Sequence, residues 1–298
     1  MISLSRVKLI GFDSMGTRSM ATVIETDSYK IFIDPGVSYA PYRYGLPPHP
    51  VELSTLEKHL NTIYSEMIDT DIVIISHYHR DHYLYRNIEI DYYRNKILFI
   101  KDPLNSINHS QRIRAYVLLN KNNVKNIVKE LHIADYSKHN LGDIEISFSP
   151  PVPHGIENSR LGYVVMTFVK TRDFSLLHAS DVQGPIEDKT TDIILRYNPD
   201  ILIISGIPTY FEGYRFKKED LEKGLNNLEY IVKNLKPYST VIVDHHLLRD
   251  LDYKSKISRV LEKGLENNIK VLTAAEYMGY EVKPLEAMRK ILWRGGNQ

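Results

Sequence analysis

The segment Ile74-Ile75-Ser76-His77-Tyr78-His79-Arg80-Asp81-His82 places three histidines and a carboxylate within six residues, directly after the apolar run Asp71–Ile75. That run reads as a buried strand, so the cluster should emerge at a strand's C-terminal end. Imidazole and carboxylate together form the ligand set of zinc and similar first-row metals. His77 and His79, two apart, share one face of an extended segment. Asp81 and His82 follow one turn further on and can face a second ion at the usual two-metal separation of about 3.5–4 Å.

A two-metal site needs more ligands than one motif supplies, and other candidates also fall at expected strand ends. Asp34 ends the run Ile31–Ile33, and His154 with Gly155 follows a proline-stiffened turn. Asp181 sits in the small-residue setting Ala179-Ser180-Asp181, and His245 and His246 follow Val241–Val243. Two ions held among such residues would activate a water as hydroxide for attack on a carbonyl or phosphoryl centre.

The elements that position these residues follow from patterning. Strands are expected at Val7–Phe12, Met20–Thr26 and Tyr29–Ile33, and a proline- and tyrosine-rich loop at Tyr39–Pro50. A helix over Leu53–Met67 then precedes the Asp71–Ile75 strand. Further strands are expected at Lys96–Ile100, Gly142–Phe148, Asp200–Ile204 and Thr240–Val243, with Leu161–Lys170 and Phe174–Leu177 forming a hairpin. Helices are expected at Ser106–Leu119, Ile186–Arg196, Lys217–Leu235 and Tyr253–Glu266. Early hairpins followed by β/α alternation predict two mixed sheets packed together with helices outside.

Composition narrows the function classes. Hydrophobic content of 43% and charged content of 25% suit a soluble globular protein. Lys+Arg of 38 against Asp+Glu of 37 leaves a formal net charge of +1, so nothing global favours a nucleic-acid or membrane surface. With no cysteine in the chain, disulfide scaffolds, thiolate nucleophiles and iron–sulfur clusters are excluded, and any metal is held by nitrogen and oxygen. The N-terminus lacks a signal-peptide layout and no apolar run approaches the ~20 residues of a membrane span, so a cytoplasmic location is expected.

Taken together, the motif His-x-His-x-Asp-His, the early Asp34 and the later His154, Asp181 and His245 resemble the metallo-β-lactamase superfamily, in order along most of the chain. The resemblance implies one αββα four-layer sandwich domain spanning residues 1–298, with the metals in a groove along one edge and closing helices after Arg249. It implies His77, His79 and His154 around one ion, Asp81, His82 and a terminal histidine around a second, and Asp181 bridging them. Asp34 would orient the motif without touching metal. His245 is preferred as the terminal ligand because Arg249 completes a His-x-x-x-Arg spacing found in phosphodiesterase and ribonuclease branches; His246 is the alternative. Asp81 is the expected proton acceptor. The cofactor expected is a pair of divalent ions, zinc first, with manganese or iron as alternatives.

His79 stands where the superfamily's redox di-iron members carry glutamate, which favours hydrolysis. His154-Gly155 followed by Leu161–Val165 is similar to the ribonuclease Z, cyclic-phosphodiesterase and ascorbate-phosphate lactonase branches. Phe12–Ala21, Asp34-Pro35-Gly36 and Tyr44–Pro50 resemble an archaeal branch of unassigned substrate. The expected function is a metal-dependent hydrolase acting on a phosphoester or similar small anionic substrate. The alternatives are an RNA- or DNA-processing nuclease, a lactonase or thioesterase, and a non-catalytic metal-binding protein. Arg43, Arg80, Arg160, Arg249 and His178 are the candidate substrate contacts. His49 is read as an exposed loop residue, and His59, His109, His132 and His139 as surface residues. Oligomeric state is left open.

Overall fold

The computed structural model describes residues 4–214 and 216–295; Met1–Ser3, part of the segment read for a leader, lie outside them. The first half builds strands β1 (Arg6–Phe12), β2 (Met20–Glu25) and β3 (Lys30–Ile33), then helix α1 (Pro50–Ile68). Strands β4 (Ile72–Ile75) and β5 (Ile97–Ile100), helices α2 (His109–Tyr116) and α3 (Val124–Ile127), and strand β6 (Glu130–Ile133) follow. These six strands form one sheet in sequence order, antiparallel from β1 to β3 and parallel from β3 to β6.

The second half supplies β7 (Lys138–Leu141), β8 (Ile144–Phe148), a ribbon of β9 (Val152–Pro153) and β10 (Tyr163–Val164), then β11 (Thr167–Lys170) and β12 (Ser175–His178). Helix α4 (Asp188–Tyr197), β13 (Ile201–Ile204), α5 (Lys218–Asn234) and β14 (Thr240–Val243) come next. Helices α6 (Tyr253–Lys256) and α7 (Ser258–Glu266), β15 (Lys270–Leu272), α8 (Ala274–Tyr277) and α9 (Leu285–Gly295) complete the order. The second sheet runs β15-β14-β13-β12-β11-β8-β7, parallel from β15 to β12 and antiparallel beyond.

Alternation along the strands shows why four layers form. In β4, Ile72 and Ile74 point into the core between the sheets, while Val73 and Ile75 point outward against Ile63 and Met67 of α1. All four are fully buried, worth about 1.5–3 kcal/mol each. In the second sheet, Ile203 and Ile242 face the first sheet, and Leu202 and Val241 face Leu228 and Ile231 of α5 and Val260 of α7. The result is an αββα sandwich, and the parallel strands β3, β4, β12, β13 and β14 bring their C-terminal ends to one edge.

Several local expectations shift. The segment expected as one strand over Leu161–Lys170 divides, because Tyr163–Val164 pairs with Val152–Pro153 while only Thr167–Lys170 pairs with β12. The helix expected over Tyr253–Glu266 breaks at Ile257. The chain after Arg249 is not helical throughout: Lys270–Leu272 adds a parallel edge strand. Strands β6 and β7 escape the sequence pattern because they are short edge strands with half-exposed faces.

His49 is the N-cap of α1, its ring accepting from the Val51 amide while the Glu52 carboxylate accepts from the His49 amide. The Tyr39–Pro50 loop is clamped by α9. Arg289, fully buried, makes a two-pronged pair with Glu52 and donates to the Ala40 and Leu46 carbonyls. No helix among the described residues is long and apolar enough to cross a membrane.

Candidate metal centre

Four of the loops at the strand-end edge carry the candidate ligands, and a fifth, after β3, carries Asp34. Four positions there are non-glycine residues held at positive φ: Asp34 (52°), Ser180 (52°), Gln183 (53°) and His245 (54°). Such conformations cost of order 1–3 kcal/mol each and persist where surroundings over-determine them. Here the Asp34 amide donates to the Ile74 carbonyl at 2.8 Å and Gln183 N donates to Ser205 Oγ at 3.0 Å. Gly36 is required by closeness: a Cβ there would stand 2.2 Å from the Tyr83 amide nitrogen and 2.6 Å from the His82 carbonyl carbon.

The structure brings His77, His79, Asp81, His82, His154, Asp181, His245 and His246 to one place. On one side of Asp181, His77 Nε2 is 3.0 Å from His79 Nδ1, and His154 Nε2 is 3.0 Å and His77 Nε2 3.6 Å from Asp181 Oδ2. On the other, His82 Nε2 is 3.3 Å from Asp181 Oδ2 and His245 Nε2 3.3 Å from Asp181 Oδ1. Asp81 closes that group, with its oxygens 4.0 Å from His82 Nε2 and 3.8 Å from His245 Nε2. Ligands about 2.0–2.1 Å from a tetrahedral zinc stand roughly 3.3 Å apart, so these spacings suit two cages sharing Asp181. His82 Nε2, His154 Nε2 and Asp181 Oδ1 are buried without a hydrogen-bond partner among the described residues. Orphaned donor and acceptor atoms aimed at one another fit a bound cation.

Three of the imidazoles are braced from behind, which fixes which nitrogen faces inward. Ser76 Oγ lies 3.0 Å from His77 Nδ1, Asp34 Oδ2 2.9 Å from His82 Nδ1, and Asp13 Oδ2 2.7 Å from His245 Nδ1. Asp34 also accepts from the Ser76 amide, Ser76 Oγ and Ser180 Oγ. Asp13 escaped the sequence reading. Its signal was an aspartate at the end of a strand, β1, the same position Asp34 holds after β3.

The carboxylates shape the charge. Burial disfavours a proton on His82, but Asp181 and Asp34 outweigh it and raise the pKa well above the ordinary value. Burial acts likewise on His245, where Asp181, and then Asp13, prevail over Arg249 and bring the pKa to about 9. His77 is held well below its ordinary value by burial and the neighbouring imidazoles, and His79 is lowered to about 3 by burial and His154. Against the opposing effect of burial, His245, His82 and the other imidazoles hold Asp181 well below the carboxylate range.

The candidate substrate contacts fare differently. Arg249 is buried: Nε donates to Asp13 Oδ1 at 2.9 Å, and Nη1 lies 3.1 Å from His246 Nδ1 and 3.3 Å from the Tyr210 hydroxyl. Arg43 donates to the Arg249 carbonyl and lies over the Tyr210 and Tyr44 rings at 4.4 and 4.7 Å. Arg249 is held within the wall of the site, and Arg43 joins that wall with its Nε left without a hydrogen-bond partner among the described residues. His178 is fully buried with Nε2 donating to the Met20 carbonyl, so it presents no face to a substrate. Arg80, over the Tyr85 ring at 5.1 Å, and Arg160 are exposed. His59 is not a surface residue: it is half-buried, its Nδ1 2.8 Å from Thr17 Oγ1, and burial lowers its pKa to about 4. His132 and His139 are also half-buried, packed on Phe99, and His109 is exposed.

No family model matches the chain. Among solved structures, the chain is similar to a possible metal-dependent hydrolase from Veillonella parvula, with a TM-score of 0.53 and 13% identity over 86% of this chain and 94% of the other. It is similar also to the metallo-β-lactamase fold protein YhfI from Bacillus subtilis, with a TM-score of 0.51 and 15% identity over 91% of this chain and 98% of the other. At such identities the likeness shows the fold, and the sandwich described above is the metallo-β-lactamase fold. In sequence, the chain is 40% identical over 297 residues to a UPF0282 protein of Sulfurisphaera tokodaii, covering 98% of this chain and 94% of the relative. It is 41% identical over 297 residues to a UPF0282 protein of Aeropyrum pernix, covering 97% and 99%. Identity of this extent, end to end, places the chain in the UPF0282 family.

Proposed function

We propose that the chain is a metal-dependent hydrolase acting on a phosphoester or similar small anionic substrate. The observation that carries this reading is the pair of nitrogen–oxygen cages sharing Asp181, with buried inward-facing atoms left unpartnered. His77, His79, His154 and Asp181 would hold one divalent ion, and Asp81, His82, His245 and Asp181 the second. The donor set takes zinc, with manganese or iron as alternatives. Bound there, a pair of such ions supplies an acidified water and stabilises the negative charge that develops on the attacked centre.

The chain's own residues do the rest. Asp34, Ser76 and Asp13 lock the imidazole orientations, so little reorganisation accompanies loading. Asp81, its side chain 18% exposed beside fully buried His82 and His245, is placed at the solvent side to take the proton from an attacking water. Asp81, Asp181 and, through neutral His82, Asp34 set three negative charges against the four positive charges of two divalent ions, while Asp13 is offset by Arg249. The excess positive charge at the mouth favours an anionic substrate.

A panel of bis-aryl phosphate, cyclic nucleotide, lactone, thioester and structured RNA, run with each metal in turn, tests the assignment. Turnover of a phosphoester is expected. Activity confined to lactone or thioester would overturn the phosphoester reading, and cleavage of RNA alone would make the protein a nuclease.

A further inference from the structure

The doubled histidine His245-His246 straddles Asp181. His245 Nε2 is 3.3 Å from Oδ1, and His246 Nε2 is 3.6 Å from Oδ2 on the side of His154, whose ring centroid is 5.8 Å away. By position alone either imidazole could be a ligand. Their hydrogen-bond partners separate them.

A neutral imidazole carries one proton, and the partner of one nitrogen decides the state of the other. At His245, the Asp13 carboxylate oxygen 2.7 Å from Nδ1 can only accept, which favours the proton on Nδ1 and a lone pair on Nε2. Arg249 Nη2 lies against the same ring, 3.1 Å from Nε2 and 3.4 Å from Nδ1, and so does not by itself distinguish the two nitrogens. At His246 the order is reversed. Arg249 Nη1, again a donor only, lies 3.1 Å from Nδ1, so Nδ1 must accept and the proton must sit on Nε2.

The Gln183 amide agrees. It approaches His246 Nε2 at 3.3 Å, and with its nitrogen there two donors would face each other while Gln183 Oε1 stayed buried without a partner. Turned by half a revolution, the amide offers Oε1 to the His246 proton, and two donors no longer face each other. At 3.3 Å that bond is long, and Asp181 at 3.6 Å is out of range, so the proton remains open to a stronger acceptor. His246 also reaches the mouth: its side chain is 9% exposed, whereas His77, His82 and His245 are fully buried.

We propose that His246 is not a metal ligand but a substrate-binding residue, donating through Nε2–H to an oxygen of the anionic group bound at the centre. Arg249 is the positioning residue that imposes this tautomer. The inference rests on the proposed two-metal centre, and its test separates the two. In zinc-loaded protein with ¹⁵N-labelled histidine, long-range ¹H–¹⁵N correlation reads each tautomer directly; His246 should show Nε2–H and His245 Nδ1–H. His246→Ala should keep the wild-type zinc content while binding inorganic phosphate roughly tenfold or more weakly, the loss of one hydrogen bond to a charged group. His246→Gln, which keeps an N–H donor, should recover part of that affinity.

Loss of one zinc equivalent in His246→Ala would make His246 a ligand and overturn the proposal. So would a folded His246→Ala protein that keeps both zinc and full phosphate affinity. Wild-type protein unable to hold zinc, manganese or iron would remove the centre itself and with it this role.

Discussion

Replacing Asp13 by asparagine tests whether the second cage depends on a residue that touches no metal. Asp13 spends one oxygen on His245 Nδ1 at 2.7 Å and the other on Arg249 Nε at 2.9 Å. Asparagine preserves volume and an amide oxygen for Arg249 Nε, so the fold should lose less than the ~3–5 kcal/mol of an outright broken buried ion pair. What disappears is the negative charge that raises the basicity of His245 and holds its ring. Such partners are worth about 10–100-fold in metal affinity, or about 1.4–2.7 kcal/mol. The loss should fall on the ion between Asp81, His82 and His245. The cage of His77, His79 and His154 makes no use of Asp13, its His77 being braced by Ser76, and should hold its ion within ~0.5 kcal/mol of wild type. Titration against a chromogenic chelator resolves the two affinities, and a thermal melt reports the fold. Equal weakening of both ions, or no weakening of either in a folded protein, would refute the reasoning.

Three further outcomes follow from the same geometry. In metal-free protein, Asp181 raises His245 from 6.5 to about 9 against the opposing effect of burial, and His82 is raised as well. Groups with raised pKa stabilise the fold below pH 6.5, and that stability is lost as pH climbs through the folded value. At about 1.4 kcal/mol per pH unit, His245 alone should remove about 3 kcal/mol between pH 6.5 and 9, seen by urea denaturation; a flat profile in chelated protein would contradict this. Asp181→Ala should lose both ions and all activity while keeping its far-ultraviolet circular dichroism. Gly36→Ala should fold poorly or melt well below wild type, because its Cβ would meet the His82–Tyr83 backbone, which cannot give way; an unchanged melting temperature would refute the close approach.

Much of the scaffold was legible because its signals are local. The uniformly apolar Ile72–Ile75 announced a strand buried on both faces, and both sheets do pack their central strands this way. The turn residues after β3, β12 and β14 marked strand ends, and the structure brings those ends together. Contacts between distant segments were not legible. Asp13 meets Arg249 across 236 residues, and no periodicity links the two. The same blindness explains Arg43 and Arg249: an arginine in a sequence shows a charge but not whether a carboxylate, a carbonyl or a tyrosine ring has already claimed it. His49 was missed as a helix cap although the signal was present, with proline next and glutamate three residues on. His59 could not be placed because its partner, Thr17, comes from another element.

These side chains are expected to hold two ions in cages sharing Asp181. Metal analysis of protein purified under metal-replete conditions, with zinc, manganese and iron quantified per chain by mass spectrometry, tests it most directly. About two equivalents are expected, lost in Asp181→Ala. A protein that holds none of the three metals would contradict it.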